Sequence, residues 1–215
     1  MFVEESLKIK DFIEKENLRN LKVLNIGSAD KNFRTYIQPY IDRNIIKPLE
    51  ERNCKVFNLD LYGGEGVDIR LDFDHLNELN DEFDLVFCCN SFEHAKNKEN
   101  LGNELVRLTK KGGFIIVTTP YVYPYHLDPI DTLFRPTVEE QLNYLKGVTL
   151  IEGTYINVTA PYESRGKILP LFVMKVLMVL KSIRYKLKGE KYSFFKDIIR
   201  IFSTWKVTFL LLKKD

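Results

Sequence analysis

Lys22-Val-Leu-Asn-Ile-Gly-Ser-Ala-Asp30 is a mostly apolar run that ends in a glycine followed by small and polar residues. Such a run reads as a buried parallel strand entering a tight turn. Gly27 sits at the bend because a residue without a Cβ lets backbone approach a neighbour closely. The pattern points to a nucleotide-type cofactor at the carboxyl edge of an open α/β sheet. Gly27 has no second glycine two residues on, so the chain around it decides the reading.

Upstream, Val3, Leu7, Ile9, Phe12 and Ile13 recur at helical spacing among charges, which predicts an amphipathic helix over 3–17. Downstream, Phe33 to Ile46 carries a second helical stripe, and Pro39 within it predicts a kinked or interrupted helix over 33–50. Strands are expected at Lys55–Asp60, Val67–Leu71, Asp84–Cys89 and Phe114–Thr119. The Asp84 strand is apolar on both faces and therefore central. A helix over 98–110 is expected to end on Lys110, Lys111 and Gly112, as the helix dipole and C-cap geometry favour. Alternation of this kind implies right-handed βαβ units and a parallel sheet covered on both faces. A loop rich in Tyr, Pro, His and Asp follows Pro120, then a short helix near 137–146. Two more strands follow, at Val148–Val158 and Lys206–Lys213.

Length and composition suit one soluble globular domain spanning 1–215, with 45% hydrophobic and 29% charged residues. Cys54, Cys88 and Cys89 show no metal-ligand spacing, and the adjacent pair would point to opposite faces of a strand. Reduced thiols and an acidic N-terminus without an apolar core predict a cytoplasmic setting. The net charge of +2 conceals an asymmetry, because residues 161–215 carry 13 Lys/Arg against 4 Asp/Glu.

From about residue 20 to residue 158 the chain resembles the class I S-adenosylmethionine-dependent methyltransferases. Val23-Leu-Asn-Ile-Gly-Ser28 resembles their first motif, and Asp60 stands where their second strand ends in an acid. Asp72 resembles the acid beside the adenine, and Phe83-Asp-Leu-Val86, Asn90 and Phe92-Glu-His94 the fourth-strand motif. Leu105 to Phe114 resembles the helix–glycine–strand motif that follows. Pro120-Tyr121, His126, Pro129, Asp131, Arg135 and Pro136 resemble a loop of a small-molecule or glycan-modifying subgroup. The resemblance implies a Rossmann-like, doubly wound α/β fold. Its seven-stranded sheet would be mostly parallel, with an antiparallel last strand and a helical insertion before it.

The implied cofactor is S-adenosylmethionine, held by Asn25, Gly27, Ser28, Ala29, Asp60, Leu61, Asp72, Phe73, Asn90 and Ser91. S-adenosylmethionine has no phosphate, so it asks for close backbone, an acid for the ribose hydroxyls and a polar group for the adenine amine. Gly27 with Ser28, Asp60 and Asp72 can supply these, the carboxylate through charge-assisted bonds. Three positions depart from the family: Asn25 replaces an acid, and Ala29 and Lys31 replace glycines. Asp60 lies 33 residues after Gly27, where a minimal unit has roughly 20, so the intervening helix carries an insertion.

The implied reaction is methyl transfer to an oxygen or nitrogen of a small molecule or sugar, in which the protein aligns the reactants and supplies a base. His126 is the first candidate base, with Asp128 or Asp131 as orienter or alternative base. Tyr121, Tyr125, His94 and Arg135 are candidate acceptor contacts, and no metal site is expected. For each there is a packing role that would leave it out of the chemistry: a turn hydrogen bond for His126, an Arg135–Asp131 pair holding the loop. The competing function is a non-catalytic binding or scaffold protein, favoured by Asn25, Ala29 and Lys31.

The segment 161–204 interrupts the sheet pattern. Ile168 to Leu180 holds one charge in 13 residues, too short to span a bilayer, and Lys181, Arg184, Lys186 and Lys188 follow. A lid over the site, a homodimer face, or a membrane-surface contact through 165–190 all suit that composition. Nucleic acid is disfavoured, because the basic residues accompany long aliphatic runs.

Overall fold

A computed structural model describes residues 1–126, 130–159, 171–188 and 194–215. Seven strands form one sheet in the order β3-β2-β1-β4-β5-β7-β6. β1 (Lys22–Ile26) lies between β2 (Lys55–Asp60) and β4 (Phe83–Cys89), parallel to both. β3 (Ile69–Arg70) extends the sheet beyond β2, and β5 (Thr109–Val122) runs parallel to β4. β7 (Trp205–Lys214) inserts antiparallel between β5 and β6 (Val148–Val158). The expected Rossmann-like sheet with an antiparallel last strand is the observed one.

Strand order reverses between β1 and β4, so their connections leave in opposite directions and a crevice opens beyond their carboxyl ends. One face of the sheet is covered by α1 (Val3–Lys15), whose Ile9, Phe12 and Ile13 are buried. The interrupted helix joins it there: a π turn at Phe33–Ile37, α2 (Pro39–Ile41), a second π turn at Asp42–Ile46, and α3 (Lys47–Glu50). The break falls at Gln38, immediately before Pro39, which cannot donate to a preceding turn. α4 (Lys98–Leu108) and a 3-10 turn at Phe73–Glu78 cover the other face through Leu76, Leu101, Leu105 and Leu108. Each such fully buried side chain contributes about 1.5–3 kcal/mol relative to exposure.

Three local expectations are corrected. α4 stops at Leu108 rather than 110, because the Thr109 Oγ1 donates to the Leu105 carbonyl (2.7 Å) and Thr109 already pairs with Phe83 in the sheet. Lys110 therefore meets the Asp84 carboxylate at 2.8 Å instead of a helix end. β3 is shorter than Val67–Leu71, because the Asp68 carboxylate accepts from the Asn58 backbone N–H (2.8 Å) just before it. The short helix is α5 (Val138–Leu142), capped by Thr137 in a reciprocal box with Glu140. Within the insertion the described residues form α6 (Leu171–Leu187) and α7 (Phe194–Phe202).

Candidate functional site

A cleft of about 920 Å³ opens where β1, β2 and β4 end. Asn25, Gly27, Ser28, Ala29, Asp60 and Leu61 line one end, joined by Asp72, Phe73, Asn90 and Ser91. All ten expected cofactor residues thus reach a single cavity. Gly27 adopts φ +71°, and a Cβ there would lie 2.1 Å from the Ser91 Oγ. The turn after β1 and the turn after β4 touch at this glycine.

Ala29 also adopts a left-handed conformation, φ +53°, a backbone that glycine reaches at less cost. The loop is held by its neighbours instead. The Ala29 N–H donates to Asp60 Oδ2 (2.8 Å), and the other Asp60 oxygen accepts from the Tyr62 N–H (3.0 Å). Arg34 is buried, and its guanidinium donates to the carbonyls of Ser28 (3.3 Å), Ala29 and Gly66 (2.7 Å). Lys31 bonds Glu65 through both its backbone N–H (to the carbonyl, 2.8 Å) and its ammonium (2.8 Å). Arg34 and Lys31 thus pin the turn after β1 to the Gly63–Gly66 loop, doing with side chains what a glycine-rich turn does with backbone. Neither role was read from the sequence, since both partners lie more than thirty residues away.

Asn25 pairs with Asn58 across β1 and β2 (3.1 Å). Asp72 caps the 3-10 turn, with Oδ1 accepting from the Asp74 N–H (3.2 Å). Asn90 stands at φ +49°; its amide donates to the buried Glu5 carboxylate of α1 (2.8 Å), and its Oδ1 is buried without a partner. Burial raises the Glu5 carboxyl above its ordinary value despite the hydrogen bonds it accepts. Gln38 lines the same cleft and also holds a buried, unpartnered Oε1. Burial pushes the Cys89 thiol up to about 12 and Cys88 up as well, which leaves both protonated and inert at neutral pH.

The other end of the cleft holds Glu93, His94, Tyr125 and His126. His94 Nδ1 lies 2.6 Å from the Ile130 carbonyl, and His126 Nδ1 lies 3.0 Å from Asp131 Oδ2. Asp131 is buried and gripped by both Arg135 guanidinium nitrogens (3.0 and 2.6 Å), and it also accepts from the His126 and Leu133 N–H groups. Burial alone would raise its carboxyl; the hydrogen bonds and charges of His126 and Arg135 outweigh that and hold it well below the usual carboxylate range. This selects among the alternatives the sequence left for two residues. Asp131 has no capacity left to act as a base and holds His126 through its backbone N–H, and Arg135 is spent on Asp131 with a side chain 4% exposed. Tyr121 is corrected: it is not part of the cleft and packs on Tyr155 of β6, ring centroids 4.7 Å apart. Asp128 lies outside the described residues.

α6 closes the cleft from above through Leu177, Met178, Lys181 and Ser182. Asp197 of α7 is buried and anchors this arrangement, accepting from the Ser182 hydroxyl and from the Tyr125 N–H (2.5 Å).

Residues 43–117 match the family model described as a methyltransferase domain. That stretch, from the second π turn into β5, is similar to methyltransferase domains. The match begins after the Gly27 turn, so the departures at Asn25, Ala29 and Lys31 lie outside it. Three solved structures illustrate how widely this methyltransferase fold is shared. Coclaurine N-methyltransferase, bound to N-methylheliamine and S-adenosylhomocysteine, is 15% identical with a TM-score of 0.58, over 97% of this chain and 72% of that one. The [4+2]-cyclase SpnF is 12% identical at 0.58, over 96% and 80%. Magnesium protoporphyrin IX methyltransferase from Synechocystis PCC 6803, with bound S-adenosylmethionine, is 10% identical at 0.54, over 99% and 79%. Identities this low establish the fold alone. No curated protein matches the chain.

Proposed function

We propose that the protein transfers a methyl group from S-adenosylmethionine to an oxygen or nitrogen of a small molecule or sugar. The observation that carries this reading is the Asp60 carboxylate fixed against the Ala29 N–H at the mouth of a turn that tolerates no Cβ at Gly27. That arrangement offers a carboxylate for two vicinal hydroxyls beside backbone that a ligand can approach. The buried, unpartnered acceptors Asn90 Oδ1 and Gln38 Oε1 fit an ammonium group, which S-adenosylmethionine carries on its amino-acid portion. Asp72, Leu61 and Phe73 then flank the adenine, and Ser28, Ser91 and Asn25 complete the polar wall.

The cofactor supplies an electrophilic methyl carbon; the chain supplies alignment and proton handling. Acceptor contact falls to Tyr125, His94 and His126 at the far end of the cleft, with His126 as base, oriented by Asp131. α6 excludes water above them. A small-molecule nitrogen acceptor accords with coclaurine N-methyltransferase, which shares the fold and binds N-methylheliamine. The scaffold alternative rested on Asn25, Ala29 and Lys31; the Arg34 and Lys31 tethers account for the last two without loss of the turn, and Asn25 is paired with Asn58. The test is transfer of isotopic methyl from S-adenosylmethionine to a panel of amines, phenols and sugars. Product formation that disappears with Asp60→Asn and His126→Gln supports the reading, and a uniformly inert panel favours the scaffold.

The finer partner is an anionic membrane surface, met through α6 and α7. Val173, Val176, Leu180, Ile183 and Leu187 form one exposed stripe on α6, and Phe195, Ile199 and Phe202 another on α7. Lys175 and Lys186 lie over Phe202 and Phe194, so cations border both stripes, the composition of an interfacial helix pair. Among the described residues no helix is long and apolar enough to cross a membrane. Flotation with phosphatidylglycerol vesicles but not with phosphatidylcholine alone is the expected result; recovery of a dimer in the soluble fraction in both cases assigns the stripes to self-association.

A further inference from the structure

We infer that Glu93, His94 and His126 form a binding site for a divalent transition-metal ion at the acceptor end of the cleft. Their candidate ligand atoms lie within 4.8 Å of one another. Glu93 is fully buried, and both its carboxylate oxygens lack a hydrogen-bond partner. A buried carboxylate with four empty acceptor positions calls for a cation. Lys98, at the start of α4, is near enough for its charge to act on Glu93, but its ammonium donates to the Ala95 carbonyl and to Thr132 Oγ1 (3.0 Å) and leaves both Glu93 oxygens without a donor.

The His94 imidazole is turned the way metal-binding histidines are turned. A carbonyl only accepts, so His94 Nδ1, 2.6 Å from the Ile130 oxygen, carries the hydrogen and leaves Nε2 with its lone pair. That Nε2 lies 3.7 Å from Glu93 Oε1. The separation is too long for a good hydrogen bond and suits two atoms each about 2.1 Å from a shared ion. A carbonyl-anchored histidine such as His94 has its ligand tautomer and direction fixed. His126 is held differently: its backbone N–H donates to Asp131 Oδ2 (3.0 Å), while its Nδ1, 3.0 Å from the same oxygen, is buried without a hydrogen-bond partner.

Two imidazoles and one carboxylate on one side of an ion leave its remaining positions open, the donor set of zinc hydrolytic sites and of non-haem iron(II) sites. Glu93, His94 and His126 all face the cleft, so those positions are presented to whatever occupies it. An acceptor oxygen is the natural further ligand, an extension that rests on the methyl-transfer reading. In that case His126 is a metal ligand and not the base. Binding of the ion itself does not depend on that reading.

The full-length protein, freed of metal with chelator, is titrated with cobalt(II) chloride under visible spectroscopy and with zinc and manganese chlorides by calorimetry. One equivalent of ion with ligand-field bands is expected. Glu93→Gln and His126→Gln should weaken it at least tenfold, each with an unchanged far-ultraviolet spectrum. Asp60→Asn, which should lose S-adenosylhomocysteine, should bind the ion as the parent does, separating this site from the cofactor site. Failure of all three ions to bind at millimolar concentration overturns the inference, as does stoichiometric binding that both Gln variants retain.

Discussion

Arg34→Met tests how this chain holds its cofactor turn without the usual glycines. Methionine keeps much of the aliphatic bulk and removes the donors to the Ser28, Ala29 and Gly66 carbonyls. Burial lowers the guanidinium's pKa, but from a starting value so high that it stays charged at neutral pH. Hydrogen bonds from a charged donor contribute about 1.5–3 kcal/mol each, and an unsatisfied buried carbonyl costs about 1–3 kcal/mol. The bonds to Ala29 and Gly66 are only partly buried, so water recovers much of those two, whereas the Ser28 bond is buried. The expected loss is about 2–4 kcal/mol by urea unfolding. Calorimetry should show S-adenosylhomocysteine affinity falling by about tenfold or more, since each 1.4 kcal/mol of turn disorder is a factor of ten. Lys31→Ala is the control: its pair with Glu65 is exposed on both sides, and its removal should leave unfolding unchanged. An Arg34→Met protein within about 0.5 kcal/mol of the parent and with unchanged affinity would refute the tether.

Ala29→Gly should be neutral or stabilising by up to about 1 kcal/mol, because relief of the left-handed φ offsets the added freedom of the unfolded chain. Gly27→Ala should do the opposite, weakening S-adenosylhomocysteine binding at least tenfold as its Cβ displaces Ser91. Asp131→Asn should cost about 3–5 kcal/mol at pH 7 by leaving Arg135 buried and unpaired. The folded carboxyl of Asp131 is depressed, so its contribution is complete above the unfolded value near 4 and is lost as pH falls below it. Urea unfolding across pH should therefore show parent and variant converging only in acid. Asp197→Ala removes the acceptor shared by Ser182 and Tyr125, and should speed S-adenosylhomocysteine release in stopped-flow measurements without altering the far-ultraviolet spectrum.

The sheet was legible because periodicity is a local property. The runs at Lys22–Ile26, Lys55–Asp60 and Val148–Val158 became the strands expected at those residues, since apolar continuity and turn residues are written side by side. That Asp60, Gly27 and Asn90 would line one cavity was legible from their order along the chain, because strand ends in this topology converge on one edge. Long-range side-chain partnerships were not. Lys31 and Arg34 acquire meaning only when the Gly63–Gly66 loop folds back on them, and Asn90 only when Glu5 arrives from α1. Arg135 and Asp131 look like catalytic-loop residues until burial shows that they consume each other. The end of α4 was misplaced because Thr109 can close a helix or open a strand, and its pairing with Phe83 decides between them.

The central claim is that the cleft beyond β1 and β4 holds S-adenosylmethionine. Isothermal calorimetry of the full chain with S-adenosylhomocysteine tests it most directly. One site in the micromolar range, abolished by Asp60→Asn and indifferent to adenosine diphosphate as competitor, is the predicted result. No heat at millimolar ligand, or equal binding by the Asp60→Asn protein, would contradict it.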